Sequence, residues 1–235
     1  MDTVKIEKSK RLLNEWLTDC REIIKFPNVR DNVILFSQNA DNIFRYNVGL
    51  GMLVWREGGN PRPFLTEAID EIERYRDDLA SRAMNTTKLP IRTAAIIASL
   101  LDRQSEFELG DCELDACGDL FLDCCLAKRL QGRPVDEGIQ AGFEQLRKAK
   151  RHTLAIRTYE AYFHLIDLDA SSAEVDKGLP IAEANYAARR KDSYYSGGPD
   201  IEGGGKYNDM VIDYRLAAVI KYRGIDRDSV HRWRW

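Results

Sequence analysis

Leu53-Val54-Trp55-Arg56-Glu57-Gly58, followed by Pro63-Phe64-Leu65-Thr66-Glu67-Ala68, is the stretch on which the fold turns. The first run ends an apolar helix. Between the two lies Gly58-Gly59-Asn60-Pro61-Arg62-Pro63, where glycine frees the backbone and proline removes a donor, so the helix cannot continue. The second run begins a new helix, and a short break between two helices turns the chain back on itself. The stretch therefore reads as an antiparallel helical hairpin.

The same pattern recurs three times. It appears at Ala127-Lys128-Arg129-Leu130-Gln131-Gly132 with Pro134-Val135-Asp136-Glu137-Gly138-Ile139, and at Leu165-Ile166-Asp167-Leu168-Asp169 with Ser172-Ala173-Glu174-Val175. It appears again at Val219-Ile220-Lys221-Tyr222-Arg223-Gly224 with Asp226-Arg227-Asp228-Ser229-Val230. The breaks at Gly132 and Ser171 are 39 residues apart, near the period of helical-hairpin repeats, whereas the other spacings are longer and irregular. The expected fold is all-α. It is a degenerate array of antiparallel helical hairpins, loosely tetratricopeptide-like, with a Gly-rich loop near the C-terminus. A plain helical bundle, in which short loops generate hairpins, would give the same pattern. One helical domain is expected over residues 1–235.

The remaining elements follow from periodicity. Leu12, Leu13, Trp16, Leu17, Cys20, Ile23 and Ile24 recur at three and four residues, predicting a helix over 4–25 that ends before Pro27. A second helix runs from Asp31 or Gln38 to Arg56; within it, Val33-Ile34-Leu35-Phe36 is too short to separate helix from strand. Gly49 and Gly51 in that helix suggest close approach by a neighbour. Helices are also predicted over 64–83, 94–101, 114–130, 136–150, 153–168, 174–190, 207–222 and 227–235. Pro90 suits the first turn of the helix over 94–101, Ser171 or Ser172 suits an N-cap, and Pro180 marks a kink. Ala94–Leu101 is apolar nearly all round, as a central helix would be.

Composition narrows the function. At 235 residues, 44% hydrophobic and 31% charged, the chain has enough length for a sizeable core and a highly charged surface. A net charge of -3 argues against broad nucleic-acid binding. No apolar run approaches the roughly 20 residues of a membrane span. Met1-Asp2-Thr3-Val4-Lys5-Ile6-Glu7-Lys8 lacks the order of a signal peptide, so a cytoplasmic location is expected. The five cysteines (Cys20, Cys112, Cys117, Cys124, Cys125) show neither a disulfide framework nor zinc spacing and are read as reduced and mostly buried.

No reaction motif stands out. Nucleophile-elbow, P-loop, zincin and dinucleotide patterns are absent. His152, His164 and His231 are scattered, and His164 reads as a partly buried, satisfied histidine. The chain is therefore not expected to be an enzyme, and neither a cofactor nor a metal is expected. Five glycines and a proline fall within Gly197–Gly205, and Lys206 then opens a helical pattern. The run resembles a phosphate cradle only superficially, because no strand precedes it and Tyr207 stands where a hydroxyl would bind magnesium.

Two regions are candidates for partner binding. Glu106, Glu108, Asp111, Glu113, Asp115, Asp119 and Asp123 fall in one stretch with no Lys or Arg after Arg103. Such a run is either a solvated face or a surface that steers a basic partner. Tyr207, Asn208, Asp213 and Arg215 flank the glycine loop and either hold it on the body or present a binding patch. Arg147, Lys148, Lys150, Arg151 and Arg157 form a basic cluster, and His231-Arg232-Trp233-Arg234-Trp235 pairs cations with aromatics.

The glycine loop followed by Gly205-Lys206-Tyr207-Asn208-Asp209-Met210-Val211-Ile212-Asp213-Tyr214-Arg215-Leu216-Ala217-Ala218 resembles the C-terminal part of bacterial polymorphic-toxin immunity proteins of the Imm49 kind. Asn42-Ile43-Phe44-Arg45-Tyr46-Asn47-Val48-Gly49 is similar to their N-terminal part. The resemblance implies a helical protein encoded beside a toxin, which it neutralises by binding, and it brings no catalytic residues. The expected partner is thus a cognate bacterial toxin domain, with no membrane and no direct nucleic-acid contact; a homo-oligomer is left open. The alternative is a helical enzyme or small-anion-binding domain that uses the Gly197–Gly205 loop and Arg215.

Overall fold

The computed structural model describes residues 3–86, 89–111, 119–134, 137–149, 153–167, 172–191 and 213–225. Of these, 80% lie in ten α-helices and none in a strand, so the fold is all-α. The helices are α1 (Thr3–Ile23), α2 (Pro27–Arg30), α3 (Val33–Arg56), α4 (Arg62–Ser81), α5 (Ile91–Leu100), α6 (Asp119–Leu130), α7 (Glu137–Lys148), α8 (Thr153–Asp167), α9 (Ser172–Lys191) and α10 (Tyr214–Tyr222). The Gly197–Gly205 loop, Tyr207, Asn208, Glu113, Asp115, Cys112, Cys117, His152, Ser171 and the expected helix over 227–235 lie outside the described residues.

The described residues fall into two compact units, one running to Ala94 and the other from Ala95, with the segment from Asp213 belonging to the second. In the first, α3 packs against α1 and α4. Ile6, Leu13, Leu17 and Cys20 of α1 recur at helical spacing and, with Ile24 just after it, meet Phe36, Ala40, Ile43, Leu50 and Leu53 of α3 in one core, with Tyr75 and Leu79 of α4. Leu12 and Trp16 pack at its margin, while Ile23, assigned to the stripe from sequence, is exposed.

The run Val33–Phe36 is the first turn of α3. Asn32 decides it: its Oδ1 accepts from the backbone N–H of Ile34 and Leu35 at 3.0 and 3.2 Å, an N-cap that closes the helix end. The break after α3 turns where sequence predicts, with Gly58 at φ +82°. The reason for Gly51 is visible: a Cβ there would lie 3.3 Å from that of Phe64 and 3.2 Å from Leu65 Cδ2, so its absence lets α4 approach α3 closely.

In the second unit, α8 packs against α6, α7, α9 and α10, and α10 also touches α6. The breaks after α3 and α8 each join helices that pack on one another. Across the break after α6, Phe121 meets Phe143 edge to face, with ring centroids 5.8 Å apart. Residues 94–101, at the end of α5, are all buried, in agreement with the apolar reading, except that Ser99 sits at the margin and returns its hydroxyl to Ala95 O at 3.0 Å. Lys221 of α10 caps the C-terminus of α5, donating to Leu100 O at 2.7 Å and pairing with Asp102 at 2.7 Å.

Candidate functional site

α6 carries one charge in an otherwise apolar run: Phe121, Leu122, Asp123, Cys124, Cys125, Leu126 and Ala127 are all buried. A carboxylate in such a place needs a partner, because an unpaired buried charge is costly. Arg215 of α10 supplies it. Its Nε and Nη2 donate to Asp123 Oδ1 and Oδ2 at 2.7 and 2.8 Å, a bidentate pair with both side chains no more than 6% exposed. The guanidinium lies 4.5 Å from the ring centre of Tyr214, which adds a cation–π contact.

α8 completes the network. Tyr159 and Tyr162 are three residues apart and share a face. The Tyr159 hydroxyl donates to Asp123, and the Tyr162 hydroxyl donates to Asp213. Asp213 is the N-cap of α10, its Oδ1 accepting from Leu216 N–H at 3.1 Å. Burial pushes the Tyr162 phenol well above its ordinary range, and the neighbouring Asp213 carboxylate, as charge and as acceptor, pushes it the same way. Three helices are thus pinned by one buried cluster of two carboxylates, two phenols and a guanidinium.

This arrangement corrects the sequence reading in three ways. Asp213 does not lie inside a helix; its backbone is non-helical (φ -76°, ψ 83°), and α10 starts at Tyr214. Asp213 and Arg215 are 1% and 5% exposed, so they act inside the second unit and do not form part of a partner-facing patch. Asp123 does not extend the acidic surface, because it is the interior counter-ion of Arg215.

The acidic surface that remains is shorter and better defined. Over 106–110 the residues alternate: Glu106, Glu108 and Gly110 are exposed, and Phe107 and Leu109 are buried. Gln131 fixes the main chain, its Nε2 donating to Gln104 O and Phe107 O at 2.8 and 2.7 Å. Two apolar anchors and an amide clamp thereby hold Glu106, Glu108 and Asp111 outward. Glu106 pairs with Arg103 at 2.7 Å.

The other candidates resolve simply. His164 is exposed on α8, contrary to the partly buried reading. The described cysteines, Cys20, Cys124 and Cys125, are buried thiols outside any disulfide. Within the basic cluster, Arg147 is spent on Glu144 and Glu160. Among the described residues, no group of three His, Cys, Asp or Glu could hold a metal ion, and no helix is long and apolar enough to cross a membrane.

Compared with protein-family models, curated proteins and solved structures, the chain finds no match.

Proposed function

We propose that the chain is an immunity protein that binds and neutralises a cognate bacterial toxin in the cytoplasm, through a charge-complementary interface. The observation that carries this reading is the clamped strip at 104–111. Its carboxylates are displayed by a backbone held from within, so little ordering is required when a basic partner arrives. Exposed like charges on a fixed frame accelerate encounter with an oppositely charged protein. The resemblance to immunity proteins and the all-helical fold agree with it. The small-anion alternative is less well supported, because the Nε–Nη2 edge of Arg215 that would clasp an anion is taken by Asp123.

The test uses Glu108→Lys combined with Asp111→Lys, against the product of the toxin gene neighbouring this one. Association should slow by about tenfold or more at low salt and lose most of its salt dependence, while melting stays unchanged. Unchanged association would remove the strip from the interface.

A further inference from the structure

A cleft of about 410 Å³ lies between α7 and α8, within the size range of small binding sites. Phe143 and Phe163 line it, meeting edge to face with ring centroids 5.6 Å apart; Phe143 is buried and Phe163 half-buried. Glu144, Arg147, Glu160 and Gln140 line the rest. Arg147 bridges the helices. Its Nε and Nη2 donate to Glu160 Oε1 at 3.2 and 2.5 Å, and its Nη1 donates to Glu144 Oε1. Two carboxylates therefore share one guanidinium, and the described lining carries an excess negative charge. Among the described residues each carboxylate is engaged by Arg147 through Oε1, which leaves Oε2 for a further donor.

Aromatic surface beneath carboxylate oxygens is the chemistry that receives a cation on an apolar stem. The stem covers the rings, and the head is drawn both by the carboxylates and by the ring faces. An anion would meet the wrong sign of charge, and a wholly apolar group would leave the rim carboxylates unanswered. We propose that this cleft docks the tip of a lysine or arginine side chain, carried on an apolar segment of the protein that this chain neutralises. The proposal rests on the immunity reading and adds a second acidic contact to it, with an aromatic anchor point of the kind that dominates interface energetics.

Two experiments on the full chain test it. In the first, acetyl-Leu-Arg-Leu-amide is titrated while the ring signals of Phe143 and Phe163 are followed by NMR, with acetyl-Leu-Glu-Leu-amide as the control. The arginine peptide should move both rings saturably and the glutamate peptide should not. Glu144→Gln with Glu160→Gln should weaken the arginine peptide by about tenfold without altering the melting temperature. Equal shifts from both peptides, or none, would overturn the proposal, and so would tetramethylammonium alone giving shifts as large. In the second experiment, the doubly substituted chain is bound to the cognate toxin. Wild-type protection with unchanged binding by the glutamine variant would overturn the docking proposal and leave the immunity reading standing. Failure of the folded wild-type chain to bind the toxin would overturn both.

Discussion

Replacing Arg215 by alanine strips the counter-ion from a carboxylate in the interior. Asp123 is 3% exposed and keeps the hydroxyl of Tyr159 but loses both guanidinium bonds. Breaking a buried pair by removing one member costs about 3–5 kcal/mol, and the lost contact with Tyr214 adds about 0.5–2 kcal/mol. The remaining Tyr159 bond offsets part of this, so a loss of about 3–4 kcal/mol is expected, a quarter or more of the total for many domains. In urea unfolding the midpoint should fall by more than about 1 M at an unchanged slope. Arg11→Ala is the control, since Arg11 pairs with Glu15 at 3.6 Å and is 71% exposed; it should change stability by less than about 0.5 kcal/mol. A double change, Asp123→Leu with Arg215→Met, should be milder than Arg215→Ala alone, because no buried charge is orphaned. If Arg215→Ala costs no more than Arg11→Ala, the buried pair does not exist and the reasoning fails.

Three further outcomes are expected of this structure. The folded protein holds the Tyr162 phenol protonated above its ordinary pKa near 10, so its contribution to stability is complete below pH 10 and is lost as pH rises beyond it; Tyr162→Phe, which also removes the donor to Asp213, should be less stable at neutral pH but lose less further stability than the wild type as pH rises above 10, and equal losses would refute this. Gly142→Ala should destabilise by about 1–3 kcal/mol, because a Cβ there would lie 2.3 Å from Phe121 Cζ, whereas Gly51→Ala meets contacts of 3.2 Å or more and gains helix propensity, so it should fall nearer neutrality; equal effects in thermal melts would show that α6 and α7 are not so close. Asn47 is fully buried and, among the described residues, neither amide atom has a hydrogen-bond partner, so Asn47→Leu should raise the melting temperature, and a fall would show that the amide is satisfied.

Most helices were legible because their apolar residues recur at three and four and because Gly and Pro punctuate them. The Val33–Phe36 run was not, since four apolar residues carry no period; Asn32 immediately before it was the available signal, as an N-cap residue. The short helix at Pro27–Arg30 was hidden because Pro27 reads as a stop for the preceding helix while also suiting a first helical turn. The buried network was half legible. Asp123 stands alone between apolar residues, as Arg215 does before Leu216-Ala217-Ala218, and lone opposite charges in apolar helices ask for each other. Charge counting along the chain instead grouped Asp123 with its exposed acidic neighbours, since proximity in sequence does not say which way a helix turns a side chain. Tyr159 and Tyr162 gave no sign beyond their spacing, because a phenol is equally at home in an apolar face. The alternation at 106–110 was equally concealed: two buried apolar residues among acids declare a strip only once Gln131, more than twenty residues on, is seen to clamp it.

The most direct test of the immunity reading proposed above is growth of bacterial cells that express the product of the neighbouring gene, which that reading takes to be the toxin, with and without this chain. The account predicts that the wild-type chain restores growth, and that the Glu108→Lys, Asp111→Lys chain melts at the same temperature but protects poorly. Cells that die despite abundant, folded wild-type protein would contradict it.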